Sequence, residues 1–174
     1  VVALGELLID FTEHGKSAQD NPVMEANPGA SLEEILAKAG ELSRRVKMGF
    51  FPGDLAYLRA GGRVSNAAYL GAKILSLNPL IELIDGQLKA TKKYRGKMDK
   101  VALELLKEFP EQHRFSREIL VFVYSEGLSD SIRSSAQALA EEMGFREILW
   151  IPTGGVVTTH CGPGGFGVCG LSME

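Results

Sequence analysis

The sequence predicts an α/β fold of the α+β kind, a two-layer sandwich in which a mixed β-sheet carries helices mainly on one face. Three observations lead there. Two alternating runs flank Asp85-Gly86, and that dipeptide suits a type I′ turn because both central positions need positive φ, so a β-hairpin forms. An apolar run at 118–124, an amphipathic stretch and a second apolar run at 147–152 make a strand–helix–strand unit, and mixing such units with a hairpin gives a mixed sheet. The 174 residues leave room for one full domain at about 100–200 residues each, which excludes a large two-domain enzyme.

In chain order, residues 1–11 are apolar and β-branched, as in a buried strand, and residues 12–30 turn polar and rich in Asn, Pro and Gly, as in a coil or linker. Ser31 opens SLEE, a capping box with Glu34, so a helix runs from there to about Arg45. VKMGFF at 46–51 reads as a strand stopped by Pro52-Gly53, and GDLAYLRAGG as a short helix closed by Gly61 and Gly62. Ala68, Leu70, Ile74 and Leu77 fall on one helical stripe that Asn78-Pro79 ends. After the hairpin, residues 97–109 have helical spacing. Ser129 caps the next helix and Gly144 terminates it. The glycine-rich end, GGVVTTHCGPGGFGVCG, reads as flexible backbone with a last strand around Phe166 to Cys169.

The net charge of -3, with no run of five like charges, gives no basic footprint, so no nucleic-acid partner is expected. The apolar N-terminal stretch carries Glu6 and Asp10 and is too short for a membrane span of about 20 residues. The reading is a cytoplasmic protein. Its two cysteines, Cys161 and Cys169, are too few for a disulfide framework, so reduced thiols are expected. His14, His113 and His160 share no ligand spacing with other donors, so no metal is expected.

Residues 162–167 literally satisfy G-x-G-x-x-G, but only seven residues follow Gly167, too few for the helix and acidic residue of a dinucleotide site. A tight turn into an edge strand fits better. TTHCGPGG places two hydroxyls, an imidazole and glycine amides within eight residues, all of them donors that suit an anionic head group. The same residues also read as a solvated turn whose threonines cap a short helix. KATKKYRGK carries Lys89, Lys92, Lys93, Arg95 and Lys97, a solvated strand face in which Arg95 could offer a planar fork to a carboxylate or an acidic partner.

Several of these motifs occur together in one family. SLEEIL, LAYLRAGGRVS, ILSLNPLIELIDGQLKATKKYRGK and VVTTHCGPGGFGV stand in the order and spacing of the DegV family, and residues from about 31 to 171 resemble its C-terminal domain. The resemblance implies a non-enzymatic carrier, with no cofactor, that buries the tail of one long-chain fatty acid and fixes its carboxylate where two domains meet. It also implies a partner, a separate kinase that forms the acyl phosphate. His160 would be the head-group donor, with Thr159 and Gly162 beside it, and Arg95 would stand at the rim or contact the kinase.

The family's N-terminal domain is not recognisable here. Instead residues 1–29 resemble the first strand of ribokinase-type (PfkB) sugar kinases, fructokinases especially, with Gly5-Glu6 and Asp10 near the sugar site. No G-A-G-D segment follows, so this alternative, the remnant of a kinase, implies no phosphoryl transfer. The division expected is therefore a strand and linker over residues 1–30, joined near 28–31 to a lipid-binding domain over 31–174. A half-carrier should expose the apolar patch that normally meets the other half, so a homo-oligomer is expected.

Overall fold

The computed structural model describes residues 31–61 and 77–173. The chain divides into two compact units, residues 1–46 and 47–174. The first contributes one described helix, α1 (Leu32–Arg45), which ends on Arg44 and Arg45, favourable cations for a helix C-terminus. Glu41 pairs with Lys38 at 2.9 Å and with Arg45 at 3.1 Å on its surface. The helix lies where SLEE places it. The side chain of Glu34 falls outside the described residues, as do the strand and linker expected over 1–30.

The second unit is built on strands β1 (Val46–Phe51), β2 (Leu77–Ile84), β3 (Gln87–Arg95), β4 (Phe115–Tyr124), β5 (Glu147–Pro152) and β6 (Phe166–Ser172). They form one sheet in the order β3-β2-β1-β6-β4-β5. β4 and β5 are parallel, whereas β1/β2, β2/β3 and β4/β6 are antiparallel. The sheet is therefore mixed. Helices α2 (Leu55–Ala60), α3 (Met98–Gln112), α4 (Asp130–Glu142) and α5 (Gly155–Cys161) complete the described elements.

The core lies on one face. Val101, Leu105 and Phe109 of α3 and Ile132 and Ala136 of α4 pack with Phe51, Leu80, Leu120, Phe122 and Phe166 of the sheet. Side chains alternate across a strand, so residues between those core positions, among them Phe50, Val121 and Val123, belong to the second face. They are only half-buried. Two-layer packing is thus as expected, with the long helices α3 and α4 on a single face.

Local chemistry explains most boundaries. Asp85 and Gly86 both take positive φ, 52° and 72°, and they join β2 to β3 as the type I′ reading requires. Ser129 Oγ accepts from the Ile132 amide at 3.3 Å to start α4, and Gly144, at φ 80°, follows its end.

Besides α5, four elements differ from the sequence reading. Leu77, Asn78 and Pro79 open β2 instead of closing a helix. Proline pushes its predecessor towards extended backbone, which suits a strand start as well as a helix stop. Residues 62–76, where that helix was expected, lie outside the described residues. α3 runs through Pro110 to Gln112 because Phe109 and Pro110 are both buried in its last turn. β4 begins at Phe115, three residues early, since that ring joins the core. Finally, β6 is interior, lying between β1 and β4 rather than at an edge. Its glycines permit this. A Cβ on Gly167 would lie 2.7 Å from Phe50 and Val123, and one on Gly170 would clash with the Phe115 ring.

Candidate functional site

The register brings one set of loops to one end of the sheet. Tyr124 pairs with both Pro152 and Phe166, and Gly165 sits against the Phe51 carbonyl. Phe51 in turn meets Tyr94 edge-on at 5.2 Å. The ends of β1, β3, β4 and β5 and the start of β6 therefore share one rim. TTHCGPGG, the start of α2 and Arg95 all lie along it.

α5 occupies the stretch read from sequence as flexible backbone. Val156, Val157, Thr158 and Thr159 are β-branched and favour helix weakly, so tertiary contacts hold it. Thr158 Oγ1 meets Thr153 Oγ1 at 2.9 Å, and the Asp54 amide donates to the Cys161 carbonyl at 3.1 Å. Asp54 also caps α2, its Oδ1 accepting from the Ala56 amide at 2.8 Å. The two short helices are thus joined end to start. The chain crossing there is so close that a Cβ on Gly53 would overlap the Pro163 carbonyl oxygen.

Ser125 holds the turn that follows. Its side chain donates to the Gly162 carbonyl at 2.6 Å and accepts from the Gly165 amide at 2.7 Å, and the residue is 1% exposed. Sequence reading passed over this residue. Its signal was a polar side chain ending a fully apolar strand, where only a buried partner makes a hydroxyl tolerable.

Each residue expected at the site now has a place. The glycine amides are already engaged: Gly162 donates to Thr158 O, Gly164 to Glu126 O and Gly165 to Ser125. Gly162, at φ 73°, contributes shape instead, with the Tyr57 ring filling the space of its missing side chain. Thr159 is exposed and its hydroxyl donates back to the Gly155 carbonyl at 2.7 Å. Arg95 is exposed on the same rim, but β3 and β6 are three strands apart, about 14 Å at roughly 4.8 Å per strand. The structure therefore separates Arg95 from the TTHCGPGG cluster.

His160 differs from them all. Its Nδ1 is buried without a hydrogen-bond partner, one of two such side-chain atoms among the described residues. Beside it, burial pushes the Cys161 thiol up to about 11. Cys161 and Cys169 are both free and buried. A neutral, buried thiol makes a poor nucleophile, so the adjacent His and Cys do not form a reactive dyad. Among the described residues no group of His, Cys, Asp and Glu could hold a metal ion, and no helix is long and apolar enough to cross a membrane.

The described unit is thus a mixed sheet backed by two helices, with a glycine-pinned turn that leaves His160 Nδ1 unpaired at its rim. Residues 14–172 match the family model described as "Uncharacterised protein, DegV family", and the chain belongs to that family. A fatty acid-binding protein of Thermotoga maritima is 32% identical over 153 residues, covering 80% of this chain and 50% of that protein. A solved structure described as fatty acid binding of a DegV family protein from Thermus thermophilus is 28% identical, with a TM-score of 0.64 over 83% of this chain and 52% of that one. The Streptococcus pneumoniae fatty acid kinase B3 protein, loaded with linoleic acid, shares the fold at 16% identity, with a TM-score of 0.72 over 97% of this chain and 56% of that one.

The chain spans about half the length of the curated relatives it matches. The family match begins at residue 14, inside the stretch likened to a sugar kinase. DegV likeness therefore extends further towards the N-terminus than residue 31.

Proposed function

We propose that this chain is the lipid-holding part of a DegV-type carrier that binds one long-chain fatty acid and presents its carboxylate to an acyl-phosphate-forming kinase. The unpaired, buried imidazole nitrogen of His160 carries this reading. It sits at the rim of a sheet whose second face carries the half-buried Phe50, Val121 and Val123, apolar surface for an acyl tail. At about 0.8 kcal/mol per buried CH₂ the tail supplies most of the affinity, and the imidazole supplies orientation.

In this assignment His160 donates to the carboxylate, Thr159 stands beside it with its hydroxyl donated to the Gly155 carbonyl, and Gly162 shapes the turn. Arg95 stands apart as a contact for the kinase. The likeness of the pneumococcal protein, by its name a fatty acid kinase component, supports that partner. We take residues 31–174 as the lipid-binding domain and residues 1–30 as its leading strand and linker. The sugar-kinase likeness of residues 1–29 has no further observation in its favour. Free Cys161 and Cys169 suit the reducing cytoplasm, where such a kinase would work. No cofactor beyond the lipid is assigned. Self-association through an apolar patch on the helix face is expected to give a dimer or larger species.

Mass spectrometry of lipid extracted from the purified chain tests the reading. A long-chain fatty acid is expected, with weaker retention in His160→Ala than in Arg95→Ala, and sedimentation is expected to return a dimer or larger. Absence of any acyl species together with no thermal shift on adding oleate would remove the carrier. Equal retention by the wild type and His160→Ala would remove the site, and a monomer at high concentration the self-association.

A further inference from the structure

We propose that Gly61 is a positioning residue for the His160 imidazole, fixing the ring so that Nδ1 is a buried lone pair and the proton stays on Nε2. The lipid role of that proton rests on the function proposed above; the ring's orientation does not.

The backbone does not need glycine at 61. Its φ of −76° and ψ of −1° lie in the right-handed helical region open to any residue. The need is spatial. A Cβ there would stand 2.7 Å from His160 Nδ1, closer than real side chains approach, and 3.1 Å from Cε1, tighter than most do. One turn earlier on the same helix face, Tyr57 fills the space beside Gly162, where a Cβ would lie 2.7 Å from Cδ2. Positions 57 and 61 thus grip the two residues that flank Cys161. Tyr57 accepts the shape of the turn, and Gly61 leaves room for the ring.

The proton follows from the same contact. The Gly61 amide donates to the Tyr57 carbonyl at 2.9 Å and is not offered to the ring, and Nδ1 has no other partner. A buried N–H with nothing to donate to is rarer than a buried acceptor left short. Neutral imidazole holds one N–H, so it belongs on Nε2, where a carboxylate oxygen can receive it as a charge-assisted hydrogen bond.

Nitrogen-15 NMR of histidine-labelled full chain, with His160 assigned by its loss in His160→Ala, tests this. At a pH where the ring is neutral, the expected spectrum shows Nε2 protonated and Nδ1 not. Gly61→Ala should move both His160 resonances and weaken oleate binding about tenfold, the loss of one hydrogen bond to a charged group. Placed in the His160→Ala background, the same substitution should change neither the melting temperature nor oleate binding. Unmoved ring resonances in Gly61→Ala, or a dominant Nδ1–H form, would overturn the proposal. So would a double variant that fails to fold while His160→Ala folds, because the clash would then lie elsewhere. If the wild type binds no oleate yet the ring resonances still move, the positioning holds and the carrier reading fails.

Discussion

Ser125 shows how much a single buried hydroxyl can organise. It bonds both Gly162 and Gly165 while almost wholly out of water. Removing it leaves a carbonyl and an amide in a dry site, so Ser125→Ala should lower stability by about 1–3 kcal/mol, read as a lower urea midpoint at unchanged slope. A loss below about 0.5 kcal/mol would mean that water replaces the hydroxyl. The residue types of the site were legible in TTHCGPGG, because donors cluster there in any conformation. Which of them remain unpaired was not, since the Gly164 and Gly165 amides are taken up by Glu126 and Ser125, both distant in sequence. The amides of Gly162, Gly164 and Gly165 turned out to be engaged within the fold, and His160 alone kept an idle nitrogen.

Among the elements, those with local punctuation were readable, as the β2–β3 hairpin illustrates. A Cβ added to Gly86, which sits at φ 72°, would meet nothing within 4 Å, so Gly86→Ala tests conformation alone and should cost about 1 kcal/mol through left-handed strain. A thermal unfolding scan checks this; no loss would show that the turn rearranges. The hairpin has a subtler feature. Its register shifts between Leu80 and Ile81, leaving Thr91 as an extra residue on β3. Thr91 bonds the buried carboxylate of Glu82, which also meets His113 Nε2 at 3.1 Å. Nothing in the alternation of residues 87–95 announces that bulge, because nearly all of β3 is exposed and no buried face fixes its register. α5 was hidden for the opposite reason. Its residues favour strand, and contacts with α2 and Thr153 override them.

For the molecule as a whole, the ionisable groups set a pH window. Burial pushes Cys161 up to about 11 and Cys169 up to about 12, and burial followed by the Glu108 hydrogen bond pushes Tyr94 up to about 12. In the unfolded chain these groups ionise nearer 9 and 10. Their contribution is therefore whole below about pH 9, falls as the unfolded state releases protons first, and is lost as pH passes through the folded values. At acid pH the direction reverses. Hydrogen bonds from Lys92 and Tyr94 hold Glu108 below its usual range, and those from Lys38 and Arg45 do the same for Glu41. That stability is present above about 4.5 and fades as pH falls through the lowered values. Urea midpoints should thus be flat between about pH 5 and 9 and drop on both sides; Cys169→Ala should flatten the alkaline drop, and an unchanged drop would exclude the thiol as its cause. By itself the sequence determined the fold class, the hairpin, the Ser129-capped helix and the family, because these follow from periodicity, turn chemistry and motifs read within a few residues. Only the tertiary structure decided that β6 is central, that Pro79 begins a strand, that Arg95 stands apart from His160, and that one imidazole is left unpaired. Each of those depends on which distant backbone and side chains arrive beside a residue, and no local pattern encodes that.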